Sequence, residues 1–371
     1  MKYLVLLLDG LSEDDTLQTS LSKANTPNLN KLLTKSILGK VNCVPDAFLV
    51  GSDVANMSVL GYDPNKYYTG RAYLELIAHK YKLNHNQVVY RANLVNIKDD
   101  IMEDFSSSNI NSEDAYQLLD DLNNLIDKDS FFIKGASYHH LFVTKDSDYD
   151  LVPPHEIMNE NTKQYLSNRK LDKLIEDSSS IINNRFNATN LWIWGKSTSI
   201  EFPSFNSKYN KKATLISAVD VVKGIGILGG MNVVEVEGAT GDNKTNYKNK
   251  IDKTIKLFNE GYDMVYLHIE ACDYCAHQGN KQAKINAIEN IDSIIVSEIL
   301  NQSNIRCLVL PDHHTSTLTK KHHRGCVPLF LYDSRNTQSH EYVDYNEKEF
   351  VNAKEFNVLD LMDILFEYNN T

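Results

Sequence analysis

The chain has 371 residues, of which 42% are hydrophobic and 23% are charged. These values are typical of a folded protein and exclude wholesale disorder, and at about 100–200 residues per domain the length predicts two or three domains. The formal net charge of −11 argues against nucleic acid as the main partner, because an acidic protein repels a phosphate backbone.

The first predicted element is a strand over residues 3–8, which ends at Asp9 and Gly10. No small-residue cleavage site follows this apolar run, so a buried strand is favoured over a secretory signal. No stretch of the chain approaches the ~18 apolar residues of a membrane span, so no membrane partner is expected. With five cysteines and no export signal, we expect a cytoplasmic protein with reduced thiols.

A helix is predicted to begin at Ser52, directly after Gly51. From the residues alone, two interpretations of this serine stay open. It could be the N-cap of the helix. Alternatively, it could be a nucleophile activated by a metal ion, since a helix N-terminus favours an anion beside it.

The middle of the chain, from about residue 84 to 205, is rich in Asn, Asp and Ser. Its pattern predicts helices over residues 112–126 and 164–182, and short strands over 88–97 and 138–144. Clusters of polar residues at strand ends resume only after this segment. We therefore interpret residues 84–205 as a smaller α/β domain that is inserted into a discontinuous domain formed by residues 1–83 and 206–371.

The pattern G-x-G-x-x-G at residues 224–229 would bind a dinucleotide only between a strand and a following helix. Here a helix is predicted before it, over 217–223, and a strand after it, over 232–236. No nucleotide cofactor is expected.

Two later apolar runs, 264–269 and 307–310, share the design of the first strand, and helices are predicted over 248–259 and 281–300. Continuous apolar runs are typical of strands that are buried on both faces of a mainly parallel sheet. The carboxyl ends of such strands meet at one edge, where ligands bind. The sequence therefore predicts an α/β fold with its site at that edge.

Acidic and histidine side chains follow all three strands. Asp273 and His277 are four residues apart, which places both on one face of a helix. Oxygen and nitrogen ligands without thiolates suit Mn²⁺, Zn²⁺, Co²⁺ or Mg²⁺. Ordinary caps and surface charges would explain any one pair, but three such clusters together favour a metal site. The candidate ligands are Asp9, Asp273, His277, Asp312, His313 and His322.

Sequence motifs that run nearly from end to end point to one family. They are Asp9-Gly10, Thr26-Pro27-Asn28, GSDVANMSVLGYD at 51–63, Gly70-Arg71, ISAVD at 216–220, GATG at 238–241, TNY at 245–247, HIEA at 268–271, PDH at 311–313 and Val327-Pro328. By these motifs the chain resembles the cofactor-independent phosphoglycerate mutases of the archaeal type, in the alkaline phosphatase superfamily. The resemblance implies an alkaline-phosphatase-like, mainly parallel sheet flanked by helices.

The resemblance also implies two divalent metal ions, with Mn²⁺ expected and Mg²⁺, Zn²⁺ or Co²⁺ as alternatives. One ion would be held by Asp9, Ser52, Asp312 and His313, and the other by Asp273, His277 and His322. In the family the serine takes the phosphoryl group from 3-phosphoglycerate and returns it to the other hydroxyl, without 2,3-bisphosphoglycerate as a cofactor. A small anionic phosphorylated substrate is expected, and a cleft that closes between two domains would exclude water.

Residues 322–328 depart from the family pattern H-x-x-[DN]-P-V-P, because they read HHRGCVP. Counting back from Pro328 favours His322 as the metal ligand. His323 and His314 remain competitors for this role.

The inserted segment departs further, since the family's Tyr-Arg-His becomes Tyr138-His139-His140. The change removes a permanent cation from an anion contact and leaves the substrate open. A homoserine kinase-like phosphotransferase, a metal-dependent phosphomonoesterase and an inactive binding protein are the alternative functions. Nothing in the sequence specifies an oligomeric state. The predicted substrate contacts are Arg71, Arg91, Asn93, His140 and His155.

Overall fold

The computed structural model describes residues 1–14, 18–337, 339 and 344–367. The chain divides into two compact units, one formed by residues 1–68 and 201–371 and the other by residues 69–200. The sequence prediction divides the chain at 83/84 and 205/206 instead, so the helix Arg71–Ala78 belongs to the second unit and not to the first. Within the part of the chain that the structure describes, no helix combines the length and the apolar character that a membrane crossing requires.

The described residues form the following strands and α-helices. In chain order the strands are β1 (Lys2–Leu8), β2 (Ser36–Val41), β3 (Val88–Lys98), β4 (Ile101–Asp104), β5 (Phe131–Ile133), β6 (His139–Thr144), β7 (Asn190–Ser197), β8 (Ala213–Ile216), β9 (Asn232–Val233), β10 (Met264–Ile269), β11 (Ile305–Leu310), β12 (His314–Thr315), β13 (His322–His323), β14 (Val327–Asp333) and β15 (Lys354–Phe356). The α-helices are α1 (Ser20–Lys23), α2 (Pro27–Leu33), α3 (Ser52–Val59), α4 (Pro64–Tyr67), α5 (Arg71–Ala78), α6 (Ser112–Leu122), α7 (Lys170–Ile182), α8 (Phe205–Tyr209), α9 (Asp220–Leu228), α10 (Tyr247–Asn259), α11 (Ala271–His277), α12 (Lys281–Asn290), α13 (Ser297–Leu300) and α14 (Leu361–Glu367).

The first unit is built on an eight-stranded sheet with the order β15-β2-β14-β11-β1-β10-β8-β9. β1 pairs in parallel with both β10 and β11, and β10–β8, β8–β9 and β15–β2 are also parallel. Only β14 runs antiparallel to its neighbours β11 and β2 among the described strands of this sheet. The predicted α/β fold with a mainly parallel sheet is confirmed.

The apolar run of β1 is buried on both faces of this sheet. Leu4, Leu6 and Leu8 lie in a hydrophobic cluster with residues of α2, α10 and α12, and the alternate residues Val5 and Leu7 are also fully buried. Full burial of one such side chain contributes roughly 1.5–3 kcal/mol. This double burial explains why the sequence shows a continuous run and not an alternating one, and β10 and β11 follow the same rule.

The predicted helices agree with the structure in position but not always in extent. The prediction over 248–259 corresponds to α10, while 281–300 contains α12, a π-helical segment Ile291–Val296 and α13. The prediction over 164–182 is wrong at its start, because α7 begins at Lys170, where the Asp172 carboxylate accepts hydrogen bonds from the backbone N–H groups of Ser167 and Arg169. Most of the glycine pattern 224–229 lies inside α9 and precedes β9, which is not the arrangement of a dinucleotide site.

The second unit has an antiparallel sheet centred on β3, which pairs with β4, β6 and β7, while β5 pairs with β6. Helices α6 and α7 contribute to its separate hydrophobic core, in which Tyr90 and Trp192 are fully buried. The predicted strands over 88–97 and 138–144 correspond to β3 and β6.

Candidate active site

Three carboxylates meet where β1, β10 and β11 end. Gly10, directly after Asp9, has φ +59°, and a Cβ there would lie 2.6–2.7 Å from atoms of Asp273, so a larger residue does not fit. The backbone N–H of Gly10 donates a hydrogen bond to Asp312 Oδ1 at 3.0 Å. This turn therefore holds Asp9 close to the other two acidic residues.

Ser52 is the first residue of α3, and Gly51 occupies the N-cap position. The N-cap interpretation of Ser52 therefore does not hold. Its Oγ lies 3.3 Å from Asp9 Oδ2 and 3.2 Å from His313 Nε2. The hydroxyl is thus directed into the group of predicted ligands.

We call Asp9, Ser52, Asp312 and His313 the inner cluster. His313 Nε2 lies 3.3 Å from Asp312 Oδ2 and 3.8 Å from Asp9 Oδ1. All four residues are buried. The structure therefore brings together the four residues predicted to hold one metal ion.

The hydroxyl of Thr315 connects this cluster to its neighbour. It donates a hydrogen bond to Asp273 Oδ1 at 2.8 Å and lies 3.0 Å from His313 Nδ1. Because its single proton is directed to the carboxylate, its oxygen accepts from Nδ1–H of His313. The lone pair of His313 is then on Nε2, which faces Ser52.

The outer cluster consists of Asp273, His277 and His322. Asp273 Oδ2 lies 3.2 Å from His277 Nε2, Asp273 Oδ1 lies 3.4 Å from His322 Nε2, and the two Nε2 atoms are 2.9 Å apart. The Nδ1 atoms face the backbone carbonyls of Lys320 at 2.9 Å and Val50 at 3.2 Å. Since carbonyls only accept, each Nδ1 carries a proton, and each Nε2 is directed to the cluster.

The two competing histidines lie elsewhere. His323 Nδ1 is 2.7 Å from Asp14 Oδ1, and its Nε2 is 2.8 Å from Thr319 Oγ1. His314 donates through Nε2 to the carbonyl of Cys326 at 3.1 Å. Of the three candidates, the structure brings His322 to Asp273.

The electrostatics of the two clusters differ. Burial, together with the charges of Asp312 and Asp273, raises the pKa of Asp9 well above its ordinary value. Burial also lowers the pKa of His313 to about 4. In the outer cluster burial is outweighed by the paired charges, so the pKa of His322 rises to about 9 and that of Asp273 falls well below its ordinary value.

These residues fit divalent cations. Asp9 Oδ1 is buried and makes no hydrogen bond within the described part of the chain, and two imidazole nitrogens face each other in the outer cluster. The donors are carboxylate, hydroxyl and imidazole groups, which suit Mn²⁺, Mg²⁺, Zn²⁺ or Co²⁺. Two sets of three side chains bring ligand atoms within 4.8 Å of one another: Asp9, His268 and Asp312, and Asp273, His313 and His322.

Sequence reasoning missed His268, whose Nε2 lies 3.1 Å from Asp9 Oδ2. It also missed Glu270 and Lys250, which lie behind His268. The available signal was a histidine inside the apolar run 264–269, followed two residues later by a glutamate.

Predicted substrate contacts lie in the second unit. The carboxylate of Glu75 lies 2.7 Å from Arg71 Nε and 3.2 Å from Arg91 Nε. Burial raises the pKa of Glu75, but the two guanidinium groups outweigh this effect and hold that pKa at about 2. The Arg91 guanidinium also lies 4.7 Å above the ring of Trp194. Arg71 and Arg91 therefore form one ordered basic group.

Two further predicted contacts adjoin this group. Trp194 Nε1 donates a hydrogen bond to Asn93 Oδ1 at 3.1 Å, and the ring centroids of His155 and Trp194 are 5.7 Å apart. Asn93 and His155 are thus joined to Arg91 through one indole ring.

His140 does not belong to this group. Asn93 pairs with His139 across β3 and β6, so His139 shares the face of the sheet that carries Arg91 and Asn93. His140 is buried on the opposite face, where its Nδ1 accepts a hydrogen bond from the backbone N–H of Gly135 at 3.1 Å. Of the two histidines, the one on the face of Arg91 and Asn93 is therefore His139, which stands where the family has arginine.

Comparison with known proteins shows which proteins this chain is similar to. A family model described as 2,3-bisphosphoglycerate-independent phosphoglycerate mutase matches residues 34–189. The enzyme of that name from Methanosarcina barkeri is 36% identical over 376 residues, which cover 94% of each chain. A probable enzyme of the same name from Geobacter sulfurreducens is 33% identical over 378 residues, again covering 94% of each chain.

Solved structures agree in fold. A protein from Pyrococcus horikoshii superimposes with a TM-score of 0.80 at 24% identity, covering 99% of this chain and 96% of that one. The cofactor-independent phosphoglycerate mutase from Thermoplasma acidophilum has a TM-score of 0.60 at 22% identity, covering 99% of both chains. The resemblance predicted from the motifs is confirmed by the sequence relatives. The chain belongs to the family of 2,3-bisphosphoglycerate-independent phosphoglycerate mutases.

Proposed function

We propose that this protein interconverts 3-phosphoglycerate and 2-phosphoglycerate through a phosphoserine at Ser52. Membership of the family supports the reaction. The single observation that supports the intermediate is the position of Ser52 Oγ, which lies within 3.3 Å of both Asp9 and His313 at the start of a helix. This chemistry explains why a buried hydroxyl faces a carboxylate and an imidazole.

Each residue of the site has a role in this reaction. Asp9 Oδ2 accepts the hydroxyl proton of Ser52 and orients its oxygen towards phosphorus. The Oγ–P bond forms while the bond from phosphorus to the glycerate oxygen breaks, and that oxygen takes up the proton that Asp9 accepted from Ser52. The reverse sequence on the other hydroxyl releases the product and restores Ser52. Backbone N–H groups at the start of α3 favour the phosphoryl oxygens.

Two divalent cations, for which we propose Mn²⁺, would neutralise the charge on the attacking and leaving oxygens. Four oxygen and nitrogen donors of the inner cluster would hold one cation, and the outer cluster would hold the other. The arginine pair of the second unit would bind the carboxylate of the substrate, since a guanidinium matches a carboxylate with two parallel hydrogen bonds. These groups are Arg71 and Arg91, with Asn93, His139 and His155 beside them.

Replacement of Ser52 by alanine tests the proposal. Ser52→Ala should lower kcat at least about 10⁴-fold, because the acceptor oxygen is lost. Incubation with 3-phosphoglycerate labelled with ³²P should transfer label to the parent protein and not to the variant. The matched control is Ser58→Ala, on the same helix, where the hydroxyl only donates to the carbonyl of Val54.

Turnover of Ser52→Ala near the parental rate would end the phosphoserine proposal. The product of the parent protein separates the alternative functions. 2-Phosphoglycerate indicates a mutase, inorganic phosphate indicates a phosphomonoesterase, and dependence on homoserine and a phosphoryl donor indicates a kinase.

A further inference from the structure

A row of buried ionisable side chains runs from α10 to the inner cluster. Lys250 Nζ lies 2.7 Å from Glu270 Oε2, Glu270 Oε1 lies 3.0 Å from His268 Nδ1, and His268 Nε2 lies 3.1 Å from Asp9 Oδ2. The side chains of all four are at most 4% exposed. None of the first three is a predicted ligand or nucleophile, so the row needs its own explanation.

The middle of this row is fixed from several directions. Glu270 Oε1 also accepts hydrogen bonds from Ser217 Oγ at 3.0 Å and from the backbone N–H of Ala218 at 2.8 Å. Lys250 Nζ donates a second bond, at 2.9 Å, to the carbonyl of His268 itself. The imidazole therefore has one orientation, because both its backbone and its Nδ1 are held.

The orientation of Asp9 follows from that of His268. Oδ2 of Asp9 faces both His268 Nε2 and Ser52 Oγ. Oδ1 lies 3.8 Å from His313 Nε2 and makes no hydrogen bond to the described residues. A rotated carboxylate would lose the contact with Ser52. The contact with His268 thus keeps Oδ2 of Asp9 next to Ser52 and leaves Oδ1 without a hydrogen-bond partner among the described residues.

We propose that Lys250, Glu270 and His268 are positioning residues that hold the Asp9 carboxylate in the orientation needed to bind the inner cation and to orient Ser52. This inference rests on the proposed function, since it concerns the cation that the inner cluster would hold. Partners behind a metal ligand commonly change metal affinity 10–100-fold when removed. Burying four ionisable groups is costly for a fold, which fits a role in the site.

The test is the affinity of the purified protein for Mn²⁺, measured by calorimetric titration together with elemental analysis. We expect two ions per parental chain. In His268→Leu, one ion should bind about 10–100-fold more weakly, while the affinity for the other is unchanged. His268→Gln should recover most of the affinity, because its amide can place an N–H group next to Asp9 Oδ2, where Nε2 of His268 lies at 3.1 Å. The kcat of the leucine variant should fall, with KM for 3-phosphoglycerate within about threefold of the parent.

Arg306→Met is the matched control for loss of a buried ion pair. Arg306 Nη2 lies 3.0 Å from Asp333 Oδ2 in the same sheet, at the end of β11 opposite to Asp312. This variant should lower the thermal midpoint of unfolding and leave both Mn²⁺ affinities at the parental values. Equal losses of Mn²⁺ affinity in Arg306→Met and His268→Leu would overturn the positioning role. If His268→Leu does not fold, Glu270→Gln, which keeps the shape of the side chain, is titrated instead with the same expectation.

Two further results separate the inference from the function on which it rests. Fewer than two ions on the parental chain would remove the two-metal proposal itself. Two ions on the parent, bound with equal affinity by His268→Leu, would overturn only the positioning role. Spin-echo spectra of bound Mn²⁺ count coordinated imidazoles: three in the parent fit the proposal, and four would make His268 a ligand and overturn it.

Discussion

The inner and outer clusters use similar ligands but are supported in different ways. The side chains of Asp9, Asp312 and His313 are at most 4% exposed, whereas those of the outer cluster are 18–38% exposed. Behind the inner cluster lie buried ionisable side chains, and behind the outer cluster lie backbone carbonyls. The inner cluster is built by residues that follow β1 and β11 and by the first residue of α3, and the outer cluster by one turn of α11 and by the strand β13.

This difference determines how each cluster responds to the loss of one of its side chains. A buried carboxylate without a counter-charge is costly, so the inner cluster depends on its cation and on every partner. Water can reach the outer cluster and replace a missing ligand. We therefore expect that excess metal does not restore the kcat lost by a substitution in the inner cluster. It should restore most of the kcat lost by a substitution in the outer cluster.

Among substitutions of the carboxylate and histidine side chains of the two clusters, the largest effect is expected for Asp312→Asn. The change keeps the shape of the side chain but removes one charge from the inner cluster, so kcat should fall about 10³-fold, equal to about 4 kcal/mol of transition-state stabilisation. Raising Mn²⁺ to millimolar concentration should not restore it. Asp333→Asn, a buried carboxylate on the same sheet, is the control and should leave kcat within about threefold. Full rescue by metal would remove the distinction between the clusters.

His322→Ala should have an intermediate effect. The ion of the outer cluster should bind about 10–100-fold more weakly to this variant. Saturating Mn²⁺ should restore most of kcat, since water can take the position of the His322 ring. His323→Ala is the matched control, because His323 contacts Asp14 instead. Elemental analysis after dialysis checks both variants. If only His323→Ala lost metal, the ligand would be His323 and not His322.

Removal of metal should expose a pH dependence in the outer cluster. The pKa of His322 is about 9 in the folded chain and 6.5 ordinarily, so its stabilisation is complete below about pH 6.5 and is lost as the pH rises through 9. His277, whose pKa is also raised, acts in the same direction. For the chelated protein, the contribution of His322 to the free energy of unfolding in urea, taken as the difference between the parent and His322→Gln, should fall by at most about 3 kcal/mol between pH 6.5 and 9. The slope should flatten in His322→Gln, and an unchanged slope would contradict this assignment.

The smallest effect is expected for Thr315→Val, which removes the hydroxyl between the clusters without changing the shape. About 1 kcal/mol should be lost, which corresponds to roughly a fivefold lower kcat. Thr317→Val is the control, since its hydroxyl donates to Glu13 and not to a cluster. Steady-state kinetics at saturating Mn²⁺ compare the two, and equal values would show that the clusters act independently.

The positions of the candidate ligands could be predicted because their signals are local. Asp9, Asp273 and Asp312 each follow an apolar strand, and the edge at which parallel strands end is a property of the fold class. The start of α3 at Ser52 was likewise readable from the preceding glycine. For these residues, chain order was enough.

The supporting residues could not be predicted because their roles depend on which elements become neighbours. Lys250 is spaced like an ordinary lysine of an amphipathic helix, and only the packing of α10 on β10 buries it against Glu270. The choice between His139 and His140 depends on the register of β3 with β6, which no local pattern encodes. The predicted domain boundaries differ from the division into compact units for a related reason, since α5 packs on β3 and β7.

The pairing of β12 with β13 limits the length of the loop that joins them. Thr315 stands opposite His322, and His314 stands opposite His323. The side chains of the adjacent residues His322 and His323 therefore lie on opposite faces of this strand pair. Insertion or deletion of one residue in the loop 316–321 would exchange the two histidines and present the wrong ring to Asp273. The pairing therefore constrains the length of this loop, in which Ser316 and Thr317 are buried and residues 318–321 are exposed.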